Sequence, residues 1–290
     1  MIDTGKVRYD AYGQQADTHC AMFLPSHGLT PCVRGYLSRR TVSLLAFDER
    51  CNHFAATPTC VVVWVLRGHD SRLEDAGRPR LPVVFGGPHA HPSISHNPGP
   101  VHFFTMLIYP DALRAMTGID VASHVDRYCA FDTVFPLSWQ GMARMVFDAA
   151  DDAARIDVIE DFLLREWAAV QPSGALLPQK FSQWCGGVAT RAAHAPGGIS
   201  ERQVDRRIKA WTGQALRQLH RVARIENALL MAGDGRVPSQ ADWSAIAAAC
   251  GFSDQAHLCR EFRRVTDSPP QALKRIAAHE SHWLYRVWVL

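Results

Sequence analysis

DWSAIAAACGFSDQAHLCREFRRVTDSPPQALKR, residues 242–275, reads as two short helices joined by a glycine turn. Trp243, Ile246, Ala247 and Cys250 recur at helical spacing and give the first helix one apolar face. The alanines at 245, 247, 248 and 249 keep that helix slim enough for close packing. Gly251 suits the left-handed residue that ends it, and Phe252 fits the corner between the helices. Ser253 is expected to cap the second helix, with Asp254 in its first turn facing the positive end of the dipole. Leu258, Phe262 and Val265 then form a core stripe. The opposite face holds Ala256, Arg260 and Arg263, flanked by His257 and Arg264, with Gln255 near the N-terminal end. Asp267, Ser268, Pro269 and Pro270 stop the helix. A helix that leads with Gln and His and continues with arginines suits a DNA major groove. Its early residues reach base edges and its later ones hold phosphates. The plainer reading is an ordinary helix hairpin with a solvated arginine face.

The stretch GFSDQAHLCREFRRVTDSPPQALKR resembles the C-terminal signature of the AraC/XylS family of transcription regulators. Gly251, Phe252, Ser253, Leu258, Arg260, Phe262, Arg263 and Pro270 fit it. Asp267 stands where that family has Gly, and Leu273 where an aromatic is common. The resemblance implies a second unit upstream, and ISERQVDRRIKAWTG (199–213) resembles the family's first recognition helix. Ser200 and Gln203 make a capping box. Val204, Ile208 and Trp211 are its core stripe. Arg202, Asp205, Arg206 and Lys209 fall on the other side, with Arg207 beside them. Asp205 on such a face has three readings: an acceptor for cytosine, a brace for Arg202 or Arg206, or local charge balance. Gln214 to Met231 reads as the helix joining the units. The family's short helix before the first unit is expected to be irregular here, because Gly186–Gly187 and Pro196–Gly198 interrupt it. Residues 233–242 read as a surface loop. Two such units fit successive major grooves about 34 Å apart.

Charge supports this division. From Leu176 onward there are 16 Lys+Arg against 9 Asp+Glu, a net of +7, while the remainder is −4. A basic third on an acidic body fits a DNA-binding module joined to a partner domain. Thirteen of those 16 cations are Arg, the better residue for forked contacts to guanine and phosphate.

Before that third the texture changes. Val42–Phe47, Cys60–Leu66, Leu81–Phe85 and Val101–Tyr109 are β-prone runs between turns, expected to form a β-barrel or sandwich. Residues 137–170 turn helical. The expected class is α+β: a cupin-like β-barrel sensor domain with trailing helices over 1–172, then an all-α double helix-turn-helix domain over 173–290. Within FGGPHAHPSISHNPGPVHFFTMLIYPDALRAMTGI (85–119), Gly99, Pro100, Pro110, Ala112, Leu113 and Gly118 resemble the sensor domain of one AraC subfamily. The closing WLYRVWVL (283–290) is too apolar for a free tail and is expected to dock on the DNA-binding domain or at a subunit contact.

Other chemistry finds little support. His89, His91 and His96 form an H-x-H…H cluster that invites a metal, but no carboxylate follows within 92–100. They are weak candidates, and a metal-dependent cupin-type enzyme with a DNA-binding passenger is the rival they suggest. Pro31–Cys32–Val33–Arg34 invites comparison with methyl-accepting DNA-repair regulators of alkylation response, yet lacks the histidine that activates such a thiol. Cys20, Cys32, Cys51 and Cys60 could sense thiol reagents or soft metals, and Cys250 and Cys259 read as reduced thiols. No catalytic motif, signal peptide or membrane-length apolar run is present. The expectation is a cytoplasmic regulator, not an enzyme and without cofactor, whose partners are double-stranded DNA, an unidentified small-molecule effector and RNA polymerase. A homodimer is implied by resemblance alone. A further rival is a protein-binding module whose helices contact a partner regulator.

Overall fold

The computed structural model describes residues 8–12, 17–71, 82–171, 180–194, 200–233 and 243–288. Nine strands come first: β1 (Arg8–Tyr12), β2 (Thr18–Phe23), β3 (Val33–Thr41), β4 (Cys51–Phe54), β5 (Cys60–Arg67), β6 (Val83–Gly86), β7 (Ser93–His96), β8 (His102–Ile108) and β9 (Tyr128–Ala130). Seven of them build one antiparallel sheet in the order β1-β2-β3-β8-β5-β6-β9, and β4 pairs with β7 separately. The β-rich domain followed by helices is as expected. The barrel is not closed, because β1 and β9 lie at opposite ends of the sheet and do not pair among the described residues.

Strand β5 shows why the run CVVVWVL is apolar throughout: both faces are covered. Cys60, Val62 and Trp64 point towards helices, where the Trp64 indole donates to the Ala143 carbonyl at 3.1 Å. Val61, Val63 and Val65 join Val101 and Phe103 on the other face. Burying each such side chain is worth about 1.5–3 kcal/mol. The expected strand over 42–47 is a correction. The strand is Val33–Thr41, and Val42, Leu44 and Phe47 beyond it are 46%, 63% and 71% exposed. The arginine pair at 39 and 40 masked it. Arg39 is buried because Glu280, 241 residues away, neutralises it. The expected Leu81–Phe85 strand begins at Val83, and Leu81 lies outside the described residues.

The helices are α1 (Pro110–Thr117), α2 (Leu137–Asp148), α3 (Asp152–Val170), α4 (Phe181–Ala193), α5 (Glu201–Thr212), α6 (Leu216–Gly233), α7 (Trp243–Ala249), α8 (Gln255–Thr266), α9 (Leu273–Ala277) and α10 (Trp283–Trp288). Asp151 divides the helical stretch after residue 137, its carboxylate accepting the Ala154 N–H at 2.9 Å. The helix α4 is a second correction. It runs unbroken through Gly186–Gly187, since Phe181, Trp184, Cys185 and Val188 supply a buried face that outweighs the local cost of glycine. The Pro196–Gly198 break, the 172/173 boundary and the 234–242 loop lie outside the described residues.

Polar contacts tie the helical third to the sheet. The Arg34 guanidinium on β3 meets Glu226 on α6 at 2.8 Å. Asp111 on α1 accepts from the Trp184 indole at 2.9 Å and from Arg191, both on α4. The closing segment docks on the sheet, and only partly where expected. The Trp283 indole donates to Asn52 on β4 at 2.9 Å, while the Tyr285 hydroxyl donates to the Thr266 carbonyl at the end of α8. His282 stacks on His53 with ring centres 4.2 Å apart. Burial, with His53 and His279 adding repulsion, pushes His282 down to about 4. Burial also lowers His53, against an opposing pull from Asp267. The folded state therefore resists protons that the unfolded chain accepts. This contribution is intact above the ordinary value of 6.5 and is lost as pH falls from there towards about 4. Stability measured by denaturant titration across that window should drop for the native chain and flatten for His282→Gln.

Candidate nucleic-acid interface

Helices α7 and α8 pack as the sequence predicts. Gly251 takes the left-handed conformation at φ +72°, and the Phe252 N–H returns to the Ala247 carbonyl at 2.9 Å. Phe252 is buried in the corner, and Arg224 from α6 lies 4.8 Å over its ring while donating to the Gly251 carbonyl. Leu258, Phe262 and Val265 are fully or almost fully buried, and Trp243 meets Phe262 edge-on. The cap is corrected by one residue. Asp254, not Ser253, is the N-cap, accepting the His257 N–H at 2.6 Å. That bond chiefly holds its carboxyl below the ordinary range. Ser253 instead meets the His257 ring nitrogen at 3.1 Å.

At the other end Asp267 adopts φ +59°, and its N–H closes on the Arg263 carbonyl. The position that holds Gly in the resembled signature is thus a left-handed cap, which strains a side chain. Asp267→Gly should relieve the left-handed penalty and raise stability by about 1 kcal/mol in equilibrium unfolding.

The outward face of α8 presents Gln255, Ala256, Arg260, Arg263 and Arg264, all exposed, with His257 half-buried. Arg264 is not a free cation. It reaches Glu261 at 2.5 Å, and Arg221 of α6 binds the other oxygen of the same carboxylate. Burial of Glu261 opposes its ionisation, but the two arginines prevail and hold its carboxyl below the ordinary range. Sequence reading passed over Glu261. Its place on the buried side of an arginine-rich helix was the available signal.

Helix α5 forms the second such face. Ser200 and Gln203 make the expected capping box, with the Ser200 N–H donating to the Gln203 side chain at 2.9 Å. Arg202, Gln203, Asp205, Arg206 and Lys209 are exposed and Ile208 is buried. The Gln203 carbonyl oxygen is occupied by its cap, which leaves its amide nitrogen for a ligand. Asp205 also accepts the Leu216 N–H that opens α6 at 3.2 Å, a contact outside the three readings given above. Gly213, at φ +73°, ends α5 beside Val125, where an added Cβ would lie 2.7 Å from a methyl group.

The three histidines diverge. His89 is buried, its Nδ1–H donating to the Gly87 carbonyl at 2.8 Å and its ring tilted over Tyr128. His91 is exposed beside Asp126, and His96 packs against Phe47. Among the described residues no three His, Cys, Asp or Glu side chains converge to hold a metal ion. Cys32 is fully buried, and desolvation drives its thiol far above the ordinary value, which disfavours the nucleophilic thiolate. All eight cysteines are free. No described helix is long and apolar enough to cross a membrane.

A family model described as a helix-turn-helix domain matches residues 197–276, the span that carries α5 to α9. Residues 197–276 are an AraC-type helix-turn-helix domain. The chain is accordingly a DNA-binding transcription regulator with an AraC-type reading head. Similar solved structures include ToxT from Vibrio cholerae O395, at 9% identity over 84% of this chain and 98% of that one, with a TM-score of 0.36. Apo ToxT from Vibrio cholerae strain SCE256 is similar at 11% identity, over 81% of this chain and 95% of that one, with a TM-score of 0.36. ToxT from that strain with an unsaturated fatty acid bound is similar at 11%, over 83% and 97%, with a TM-score of 0.32. Those scores are too low to bear on fold or function. No curated protein matches this chain.

Proposed function

We propose that this regulator reads two adjacent DNA major grooves with the outward faces of α5 and α8, under control of a small molecule held by the sheet domain. The observation that carries the reading is the pair of exposed polar faces on capped helices within one matched domain. Arg202, the Gln203 amide, Arg206 and Lys209 serve one groove. Gln255, Ala256, His257, Arg260 and Arg263 serve the next. Asp205 orders the α5–α6 joint and Arg264 is largely committed to Glu261. Domain division at 172/173 belongs to this reading. So do action in the cytoplasm, engagement of RNA polymerase at a promoter, and the absence of a reaction of its own. Leu137, Met145 and Leu164 are 80%, 58% and 43% exposed on α2 and α3, and a second copy of the chain covering such side chains belongs to this reading.

Phosphate contacts release counterions, so affinity for duplex DNA should fall by roughly 10³–10⁵ between about 50 and 200 mM salt if six to ten are made. Fluorescence anisotropy titrations across that range test it. Affinity independent of salt would remove DNA as the ligand.

A further inference from the structure

Between the helix-covered face of the sheet and the turn joining α2 to α3 lies a polar cleft of about 480 Å³, open to solvent. Its floor is a single row across four neighbouring strands. His19 on β2 pairs in register with Arg40 on β3, Arg40 with His102 on β8, and His102 with Arg67 on β5. Side chains in such a row start only about 4.5–5.5 Å apart, and like charges placed directly opposite repel. A bulge in β5 between Val65 and Arg67 brings Arg67 onto the row. Without the extra residue, Leu66 would stand opposite His102. The adjacent Arg39 takes the other face of the sheet, where Glu280 neutralises it. Among the described residues neither Arg40 nor Arg67 has an ion-pair partner.

The roof adds a third guanidinium. Arg155, in the first turn of α3, is 8% exposed. Its Nη1 donates to Asp152 at 2.8 Å and its Nη2 to the Ala149 carbonyl at 3.2 Å. Its Nε keeps no partner among the described residues, and a buried donor left so calls for an acceptor. Asp151 and Asp152 also line the cleft, but both are engaged. Asp151 caps α3 through the Ala154 N–H at 2.9 Å, and Asp152 holds Arg155. Three guanidiniums thus face two committed carboxylates, with two imidazoles among them. His102 registers the imbalance. Burial chiefly, then the charges of Arg155, Arg40 and His19, lower it below the ordinary imidazole value against an opposing pull from Asp152.

We propose that this cleft binds a phosphate group, free or carried by a small molecule. Guanidiniums form forked pairs with carboxylates and phosphates alike. Here the donors converge from a row below and from Arg155 above. That arrangement suits the three oxygens and nearly double charge of a phosphate monoester better than a planar carboxylate. Bound there, the phosphate cancels the repulsion along the row and ties the ends of four strands to the α2–α3 turn. The site lies on the sheet face away from Arg39, and the inference rests neither on DNA reading nor on effector control.

The test titrates the full chain by calorimetry at fixed ionic strength. The probes are inorganic phosphate, adenosine monophosphate and glucose 6-phosphate, with adenosine and acetate as controls. The phosphates should bind and the controls should not. Arg40→Met and Arg67→Met should each weaken binding on the order of tenfold, the scale of one charge-assisted hydrogen bond. Arg165→Met, which removes an exposed arginine further along α3, should leave it unchanged. Because the row repels itself, neither Arg40→Met nor Arg67→Met should lower thermal stability, which separates lost binding from lost folding. Phosphate should also raise the protonation midpoint of His102 in an NMR titration. Esters that bind more tightly than inorganic phosphate assign the site to a phosphorylated metabolite, and equal binding assigns it to the free ion; both bear the site out. Absence of binding by all three phosphates, acetate binding as tightly as they do, or affinity unchanged in both Arg40→Met and Arg67→Met would overturn the proposal.

Discussion

Phe262→Ala is expected to destabilise the helix-turn-helix domain by about 3–5 kcal/mol, the range for removing a fully buried aromatic ring. Phe262 has no exposed surface, meets Trp243 edge-on and lies in the stripe that seats α8 against α6 and α7. Alanine leaves the helix with Leu258 and Val265 alone as anchors. Domains are stable by only about 5–15 kcal/mol, so a loss of this size leaves a small margin. Denaturant unfolding should show the loss, and DNA binding should fail at a lower temperature than in the native chain. A change below about 1 kcal/mol would mean that the corner does not depend on this ring.

Arg260→Ala carries the largest expected effect on recognition. Arg260 is exposed at the middle of the outward face of α8 and its side chain is not drawn to Glu261. Loss of a forked contact to guanine costs about 1–3 kcal/mol, or about 5- to 150-fold in affinity, with relaxed preference at that base pair. Arg264→Ala is the internal comparison. Its guanidinium already serves Glu261, so its removal should cost less than Arg260→Ala against the same duplex. The reverse order would exchange the roles of the two arginines.

The elements that sequence reading resolved are those whose causes are local. The α7–turn–α8 unit follows from a helical stripe, a left-handed glycine and a plug residue within 25 positions. The Ser200–Gln203 box is equally local. Elements that escaped depend on distant partners. Strand β3 hides behind Arg39, whose counter-charge comes from Glu280. The contact of Asp205 with the Leu216 N–H was not legible because it forms across the α5–α6 turn. Helix α4 looked broken at Gly186–Gly187 because its support is tertiary: the Trp184 indole bonded to Asp111. The apolar closing segment was recognisable as docked, but nothing near it in sequence named the sheet as its dock. The outward faces of α5 and α8 were legible because solvent exposure follows the same period as the buried stripe.

Selection of the full chain against a pool of random duplexes tests the two-groove reading most directly. The account predicts enriched sites with two half-sites whose centres lie about 10–10.5 bp apart. Arg206→Ala should blur one half-site and Arg260→Ala the other. Enrichment of a single half-site, or both variants blurring the same one, would contradict it.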